Sequence, residues 1–375
     1  MSLIGKPAML KEVNSSLIER MIYKRGPLSK SKLAEITNLS IPTVNKIVDS
    51  LEKASRVCPV GLTTEGVGRK AILYEINKDS GCIIALYYTG EKYYCRLSDI
   101  AGNTLFEERC DIDNTTSESV MESTVRAIDT MADRAPSEIK TIGIGVPGVV
   151  TSEGRLWGIP KIDVWEGFNL EEALLECYDC DIYIENDVKL STVGYYLTHF
   201  SDALDSMAYI YAGNGMGSGI VINKKLYCGS TNFAGELGFM APLDGKKPQH
   251  NYTRDGGYLE RKLNPLIHSS RHEGAGYGNG NGNENEAKEV LVNYFSAVAA
   301  NYVSILDPDA IVFGGEAFSE AFVDDIRARL ILYSPIRSMP QIIYNENDGI
   351  GIDGLVLACM GNINTTVALV QSGGI

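Results

Sequence analysis

A short segment near the N-terminus carries polar side chains of the types that read DNA. Thr43, Asn45 and Lys46 fall on the outer side of a predicted helix, within its first two turns. Hydroxyl, amide and ammonium groups at such positions can hydrogen-bond to base edges in the major groove. Ser40, just before this helix, is a residue type that commonly caps a helix N-terminus. We therefore take these four residues as candidates for contact with double-stranded DNA.

A pair of basic residues follows a glycine-containing turn between two strand-like runs, residues 57–62 and 70–76. Arg69 and Lys70 lie where the chain leaves this turn. Glycine lets a turn approach a phosphate backbone closely, and basic side chains there contact phosphate or the minor groove. The hairpin is therefore predicted to be a wing that contacts DNA through these two residues.

Three helices are predicted ahead of the hairpin. The first carries Val13, Leu17 and Met21 at four-residue spacing, with Ile18 and Ile22 beside them. Between the second and third helices lies an asparagine, at position 38, whose side chain tolerates the left-handed conformation of a tight turn. Two helices joined by such a turn and followed by a hairpin predict a winged helix-turn-helix, which we assign to residues 1–77.

The distribution of charge supports contact with nucleic acid at one end of the chain only. The net charge is −14, yet residues 1–80 contain 13 basic and 8 acidic side chains, a charge of +5. The remaining residues carry −19. Because DNA phosphates repel an acidic surface, we expect contact to be confined to the basic N-terminal segment.

The composition is that of an ordinary folded protein. The 375 residues are 44% apolar and 22% charged, which suggests two or three domains and excludes wholesale disorder. The sequence has no run of about 18 apolar residues and no signal-peptide core, so no membrane contact is expected. Eight dispersed cysteines are typical of reduced thiols in a cytoplasmic protein.

The rest of the sequence alternates strand-like and helix-like segments. Two halves each begin with a strand–turn–strand pattern and continue as α/β. We predict a first α/β lobe over residues 78–195 and a second over 196–352, with a cleft between them. A C-terminal helix at 353–371 is expected to pack back on the first lobe.

Glycine-rich and acidic motifs occur in this body in a particular order and spacing. They are Gly143–Gly148, Glu185–Asp187, Gly213–Gly217, Ala234–Gly238 and Ile311–Gly315. With the N-terminal segment they resemble the ROK family, whose name joins repressors, open reading frames and sugar kinases, and in particular its xylose- and N-acetylglucosamine-repressor type. The resemblance implies an α/β protein: an N-terminal winged helix-turn-helix followed by a two-lobed actin-like/RNase H-like (sugar-kinase-like) body.

The resemblance also implies a sugar site between the lobes. Carboxylates accept hydrogen bonds from sugar hydroxyls strongly. Two departures alter the site: Phe239 stands where a histidine is usual, and Lys161 where an asparagine is usual. An aromatic ring with a lysine would suit a modified or phosphorylated sugar; the alternative is a pocket that has drifted and binds nothing tightly. The residues that match sugar-binding residues of the family are Asn186, Asp187, Glu236 and Glu260.

Family kinases carry an Asp-x-Gly-Gly-Thr phosphate loop after the first strand of the body. The matching residues here begin at Tyr87 and end at Glu91, so tyrosine replaces the carboxylate and glutamate the threonine. Asp187, the family's catalytic base, remains, but a base without a phosphate cradle transfers phosphate negligibly. We expect no enzymatic activity; the alternative is an ATP-dependent sugar kinase with a vestigial DNA-binding head.

Neither a metal nor a cofactor is expected. The family's structural zinc uses one histidine and three cysteines, whereas the matching stretch, Asn251–Tyr258, contains no cysteine and the histidine is replaced by Phe239. Zinc needs about four nitrogen or sulfur ligands, so the site should be empty.

Together these inferences predict a cytoplasmic transcriptional repressor of carbohydrate-utilisation genes, such as those of xylose metabolism, with a sugar or sugar-phosphate effector in the cleft. One head offers few base contacts, so a homodimer or higher homo-oligomer is expected to read a pseudo-palindromic operator. A regulator whose head is controlled by a protein partner is the other alternative.

Overall fold

The N-terminal part of the chain forms three helices and a small sheet, which we call the head. The computed structural model describes residues 7–63, 70–88, 92–159, 163–201, 203–213, 215–241, 257–269, 282–333 and 339–363. In the head, β1 pairs with β3 and β3 with β2, both antiparallel. The elements are α1 (Pro7–Arg25), β1 (Leu28–Ser29), α2 (Lys30–Thr37), α3 (Ile41–Lys53), β2 (Val57–Leu62) and β3 (Ile72–Ile76).

Local sequence signals account for the ends of α2 and α3. The Ser29 hydroxyl accepts a hydrogen bond from the backbone N–H of Lys32 and caps α2. The Ser40 hydroxyl caps α3 by accepting from the N–H of Thr43. Asn38 ends α2 with φ 55°, in the left-handed region. The predicted cap at residue 40 and the predicted left-handed turn are confirmed.

The buried side of α1 agrees with the predicted one only in part. Ile18 and Ile22 are buried in the head core, whereas Val13 is 47% exposed. Leu17 and Met21 are half-buried at the edge. The predicted stripe is therefore confirmed for Ile18, Ile22 and Met21, which lie in or against the head core, and wrong for Val13. The whole predicted stripe is apolar, so periodicity alone does not show which part of it faces α2 and α3.

The first lobe is built on a mixed sheet with strand order β10–β7–β4–β5–β6. Strands β4, β5 and β6 are antiparallel, and β7 and β10 run parallel to β4. One face of the sheet packs on α4 and α5. The elements are β4 (Cys82–Tyr88), β5 (Lys92–Asp99), β6 (Thr104–Asp111), α4 (Ser117–Ala132), β7 (Ile139–Val146), β8 (Val149–Val150), β9 (Leu156–Trp157), α5 (Leu170–Leu175), β10 (Asp181–Asn186) and α6 (Asp187–His199).

The second lobe has a similar sheet, in the order β13–β12–β11–β14–β15. Its outer face packs on α7, α8 and α9. Helix α8 is long and apolar enough to span a membrane, but Leu291, Phe295 and Val298 are buried in this core, which is typical of a core helix. The elements are β11 (Met207–Ala212), β12 (Met216–Ile222), β13 (Lys225–Leu226), α7 (Tyr258–Ser269), α8 (Gly282–Leu306), β14 (Ala310–Gly314), α9 (Glu320–Tyr333), β15 (Gln341–Asn345) and α10 (Ile350–Ile363).

Helices α6 and α10 lie between the two sheets. Leu190 of α6 packs with α10 against Ile83 of the first sheet, whereas Tyr195 of α6 packs against Tyr209 of the second. The helices cross closely because Gly354 has no side chain: a Cβ there would collide with the backbone of Leu190. The C-terminal helix thus begins before the predicted residue 353, and residues 364–375 of the predicted range lie outside the described residues.

The turn between β5 and β6 joins the head to the body. Ile100 is 6% exposed and belongs to the same apolar cluster as the head core. The Asp99 carboxylate accepts a hydrogen bond from the N–H of Asn103 and holds the turn. Gly102, with φ +83°, lies against α10, where a Cβ would be 2.9 Å from the sulfur of Met360. The turn therefore contacts the head on one side and α10 on the other.

Candidate functional site

The carboxyl end of β10 places two polar side chains between the sheets. Asn186 caps α6: its Oδ1 accepts from the N–H of Lys189 at 2.9 Å. Its Nδ2 donates to the carbonyl of Gly148 at 2.8 Å and to Oδ1 of Asp187 at 3.1 Å. The Asp187 carboxyl also accepts from the N–H of Val188 at 2.8 Å. Asn186 thus fixes the position of Asp187 relative to the end of the sheet.

Three carboxyl groups, those of Asp187, Glu236 and Glu260, interact at this point. Burial raises the pKa of Asp187 to about 7; the Val188 N–H opposes the shift and the charge of Glu260 adds to it. Burial also raises the pKa of Glu236 to about 7; Lys189 opposes this shift, and Asp187 and Glu260 add to it. Asp187 and Glu236 are therefore only partly ionised near neutral pH, and the charge of Glu260 adds to the shift of each.

Glu260 reaches this carboxyl cluster from the first turn of α7. Burial raises its pKa, whereas hydrogen bonds from the N–H groups of Gly257 and Met216 and from the Asn264 side chain lower it. Met216 follows the glycine loop between β11 and β12. A Cβ on Gly238 would be 3.0 Å from the Glu260 carboxylate. Glu260 therefore hydrogen-bonds to the end of the glycine loop and lies close to Gly238, in the segment that carries Glu236.

A buried lysine stands beside the carboxyl cluster on α6. The Lys189 side chain is 2% exposed, and its Nζ lies 3.9 Å from Oε1 of Glu185, whose side chain is 6% exposed. The same Nζ donates to the carbonyl of Asn232 at 2.7 Å. Burial raises the pKa of Glu185, and the Lys189 charge opposes the shift. Protein acceptors therefore already engage this ammonium group.

Three aromatic rings lie together near Glu236. The ring centroid of Trp157 is 6.0 Å from that of Phe233 and 5.9 Å from that of Phe239, and the two phenylalanines are 5.2 Å apart. Trp157 comes from β9 of the first lobe and the phenylalanines from a loop of the second, so the rings bridge the lobes. Aromatic faces near carboxyl groups suit a ligand with both C–H surface and hydroxyls.

Sequence reasoning found part of this site. Trp157 and Phe233 were missed: Phe233 directly precedes the motif 234–238, a usable signal, whereas nothing in the sequence near Trp157 pointed to the site. Lys161 lies outside the described residues. The other residues assigned to the effector occur together in the structure, namely Asn186, Asp187, Glu236, Phe239 and Glu260.

The Tyr87 ring fills the space at the end of β4. Its hydroxyl donates to the carbonyl of Asp187 at 3.3 Å and lies 3.5 Å from Oγ of Ser191. A Cβ on Gly145 would be 2.7 Å from the ring, and one on Gly351 would be 2.5 Å from it. The ring is therefore enclosed by β7, α6 and α10, and this burial raises the pKa of its hydroxyl well above the ordinary value.

Tyr211 fills the space between two glycine turns at the end of β11. A Cβ on Gly213 would be 2.6 Å from the Tyr211 hydroxyl oxygen, and one on Gly315, with φ +100°, would be 2.8 Å from the ring. These glycines make room for a tyrosine side chain. Sequence reasoning missed Tyr211, since it looks there like an ordinary strand residue.

Comparison with known proteins agrees with this arrangement. Residues 83–250 match the ROK family. This matched segment, a little under half of the chain, resembles a ROK family domain. The domain includes Asp187, Glu236 and the three aromatic rings.

Relatives and solved structures extend the likeness beyond the ROK domain. The xylose repressor of Caldicellulosiruptor bescii is 28% identical over 240 residues, which are 63% of this chain and 60% of the repressor. The crystal structure of a ROK family transcriptional regulator, a homologue of the E. coli MLC protein, superposes with a TM-score of 0.76 at 18% identity, covering 97% of this chain and 98% of that one. A ROK hexokinase from Thermus thermophilus gives a TM-score of 0.62 at 19% identity, covering 76% and 99%. The body therefore has a mixed α/β, sugar-kinase-like fold.

Outside the ROK domain, the predicted base contacts lie along the first turns of α3. The Ser40 hydroxyl is 2.8 Å from Oγ1 of Thr43. Lys46 is exposed, whereas Thr43 and Asn45 are half-buried. At about 100° of rotation per residue, Lys46 lies nearest the centre of the outer face of α3.

The hairpin of β2 and β3 is described up to its tip. The N–H of Thr63 donates to the carbonyl of Ala71 at 2.9 Å and closes the paired region. Lys70 is exposed, and residues 64–69, which include Arg69, lie outside the described residues.

Phe239, which stands where the family's zinc-binding histidine is expected, packs its ring on Trp157. The described residues contain no group of three His, Cys, Asp or Glu side chains arranged to hold a metal ion. Of the stretch Asn251–Tyr258, residues 251–256 lie outside the described part.

Proposed function

We propose that this chain is a DNA-binding transcriptional repressor of carbohydrate-utilisation genes whose ROK body senses a sugar and has no kinase activity. The observation that carries the proposal is the position of Tyr87, which fills the end of β4 and bonds to the backbone of Asp187. The likeness to a xylose repressor supports genes of xylose metabolism as targets.

The head supplies DNA binding as a winged helix-turn-helix over residues 1–77. In its support, α2 and α3 are joined by a turn at Asn38, and an antiparallel hairpin follows. Ser40, Thr43, Asn45 and Lys46 face the major groove, whereas Arg69 and Lys70 contact phosphate or the minor groove. The body divides into lobes over 78–195 and 196–352, with α10 packed on the first.

The filled glycine turns argue against phosphoryl transfer. ATP needs an open phosphate cradle in a protein that uses it. Tyr87 and Tyr211 occupy the ends of β4 and β11, where glycines would otherwise leave room. One observation favours the alternative, a sugar kinase: the pKa of Asp187 is about 7, as suits a general base. A general base alone does not bind the phosphoryl group that a kinase must transfer.

The cleft is proposed to bind the effector through Asn186, Asp187, Glu236 and Glu260. Carboxyl groups accept hydrogen bonds from sugar hydroxyls, and the ring of Phe239 stacks on the C–H face of the sugar. The described residues favour a neutral sugar over a sugar phosphate, because Asn232 and Glu185 engage Lys189. A phosphorylated effector would depend on Lys161.

The repressor is proposed to act in the cytoplasm as a homodimer on double-stranded operator DNA. Two heads related by a two-fold axis double the base contacts that one head makes. A sugar that binds one lobe arrangement more tightly than the other changes the spacing of the heads through population shift.

The experiment begins with selection of binding sites from genomic DNA by the full-length protein. Affinity for the selected duplex is then measured by fluorescence anisotropy with D-xylose, N-acetylglucosamine and their phosphates. A sugar-dependent change in affinity is expected, without ATP turnover in a coupled assay. Turnover that disappears in Asp187→Asn would establish the kinase instead, and DNA affinity indifferent to every sugar would favour control by a protein partner.

A further inference from the structure

A loop of the second lobe is attached to both lobes: the carbonyl of its Gly235 accepts hydrogen bonds from the N–H and the hydroxyl of Ser218 in β12, and other contacts reach the first lobe. Residues 227–239, which we call the Asn232 loop, follow β13 in the chain. The side chain of Asn232 donates to the carbonyl of Val150 in β8 at 2.8 Å, and its own carbonyl accepts from Lys189 of α6 at 2.7 Å. Phe233 and Phe239 pack on Trp157 of β9. The loop thus bridges the cleft by two hydrogen bonds and an aromatic cluster.

The ammonium of Lys189 requires this attachment. A fully buried cation is stable only when acceptors surround it, because removing it from water costs several kcal/mol. Glu185 supplies one acceptor at 3.9 Å, and the carbonyl of Asn232 supplies a closer one at 2.7 Å. If the loop moved away, Lys189 would lose the closer acceptor. The buried charge therefore penalises every arrangement in which the loop leaves the first lobe.

The backbone of Asn232 is suited to this role. Its φ is 62°, in the left-handed region, which asparagine adopts at lower cost than most other residues. The side chain, the carbonyl and the left-handed backbone conformation of Asn232 therefore all contribute to attaching the loop to the first lobe. Four residues further along the same loop lies Glu236, a member of the carboxyl cluster.

We propose that Lys189 is a positioning residue of the effector site: with Asn232 it latches the Asn232 loop onto the first lobe and so holds Glu236 and Phe239 beside Asp187. In this proposal Lys189 binds the Asn232 loop and does not bind an anionic ligand. The part that concerns the effector rests on the proposed function, whereas the latch itself does not. Opening the latch separates residues that must act together and leaves the head untouched.

Tryptophan fluorescence tests the latch without any ligand. The chain has two tryptophans, so Trp165→Phe leaves Trp157, which packs on the loop, as the reporter. In this background Lys189→Met should shift the emission of Trp157 to longer wavelength and raise its quenching constant with acrylamide by about twofold, since local opening exposes the ring. Lys189→Arg should restore part of the signal. Lys224→Met, at a lysine 50% exposed and paired with Asp205, is the matched control and should change neither.

A second variant guards against simple unfolding. Lys189→Met leaves Glu185 buried without its partner, so the double variant Glu185→Gln/Lys189→Met removes both charges and restores a neutral interior. It should keep the circular dichroism spectrum of the parent and still show the Trp157 changes. If Trp157 is unchanged in a folded double variant, the latch is overturned.

Isothermal titration of the full chain with D-xylose tests the link to the effector. Lys189→Met should weaken binding about tenfold, the effect of about 1.4 kcal/mol, with partial rescue by Lys189→Arg. Unchanged D-xylose affinity together with a changed Trp157 signal would overturn the positioning role. If the unaltered protein binds no sugar while Trp157 responds as expected, the proposed function fails and the latch stands.

Discussion

The head and the cleft hold their polar groups in opposite surroundings. Lys46 and Lys70 of the head are exposed on separate elements. In the cleft, Asp187, Glu236 and Glu260 are largely buried; the charge of Glu260 raises the pKa of Asp187, and both raise the pKa of Glu236. Residues that share no partners act independently, whereas coupled groups do not. We therefore expect additive mutational effects in the head and strongly non-additive ones in the cleft.

Separating the two regions should give the largest effect. Removal of residues 1–77 should abolish specific DNA binding, because the acidic body repels DNA, while D-xylose binding by the body remains. The truncation uncovers Ile100, so an Ile100→Thr version of the same fragment keeps aggregation from obscuring the result. Gel retardation and titration calorimetry are the measurements. Equal DNA affinity of the fragment and the full chain would contradict the division of labour.

Coupling in the cleft should appear in a double-mutant cycle of sugar binding. Asp187→Asn and Glu236→Gln should each weaken binding by about 1.5–3 kcal/mol, the cost of losing a hydrogen bond to a charged group. The double variant should lose clearly less than their sum, since each change also relieves repulsion of the remaining carboxyl. Glu122→Gln, on the exposed side of α4, is the control. Strict additivity would mean that the cluster is not coupled.

In the head, two substitutions on α3 should separate specificity from charge. Asn45→Ala should weaken operator binding by about 1–3 kcal/mol and nearly spare random DNA. Lys46→Ala should lower the slope of log affinity against log salt by about one unit if this ammonium meets a phosphate. Lys46→Ala combined with Lys70→Ala, which lie on α3 and on the hairpin, should give the sum of the two single effects. Salt titrations on operator and random duplexes measure both effects, and an unchanged operator affinity in both single variants would remove α3 from the interface.

The smallest effect should be a pH-dependent gain of stability in the variant Asp187→Asn. The folded pKa of Asp187 is about 7, above its ordinary value, so the folded protein binds the proton more tightly than the unfolded chain does. Stability therefore falls as pH rises from about 4 to about 7. Asp187→Asn should raise Tm by a few degrees at pH 8 and change it little at pH 4. Calorimetry at both pH values checks this, and an equal shift at both would assign the gain to packing.

The same contrast explains what could be predicted from the sequence. The caps at Ser29 and Ser40 and the turn at Asn38 depend on neighbouring residues, and all three occur in the structure. In α1 the prediction was right for Ile18 and wrong for Val13; both are apolar, and only the packing of α2 and α3 distinguishes them. Local sequence signals predict where helices and turns begin and end, whereas tertiary contacts determine which face of a helix is buried.

The contacts in the cleft could not be predicted from neighbouring residues, because they join residues that are far apart in the chain. Lys189 and Asn232 are 43 residues apart in the chain, and neither residue type by itself indicates which residue it contacts. The motif glycines served in the sequence analysis only to carry the family resemblance. Several serve close packing as well: a Cβ on Gly145 would meet Tyr87, and one on Gly143 would collide with Cys359 of α10.

The place of Ile100 in the head core bears on how the chain acquires its structure during synthesis. Residues 1–77 leave the ribosome before Ile100, yet their apolar cluster includes this side chain, which follows them by more than twenty positions. The head therefore completes its core only after β5 and the turn behind it have emerged. A ribosome-stalled chain that exposes residues 1–85 should yield a head more easily digested by protease than one that exposes residues 1–115.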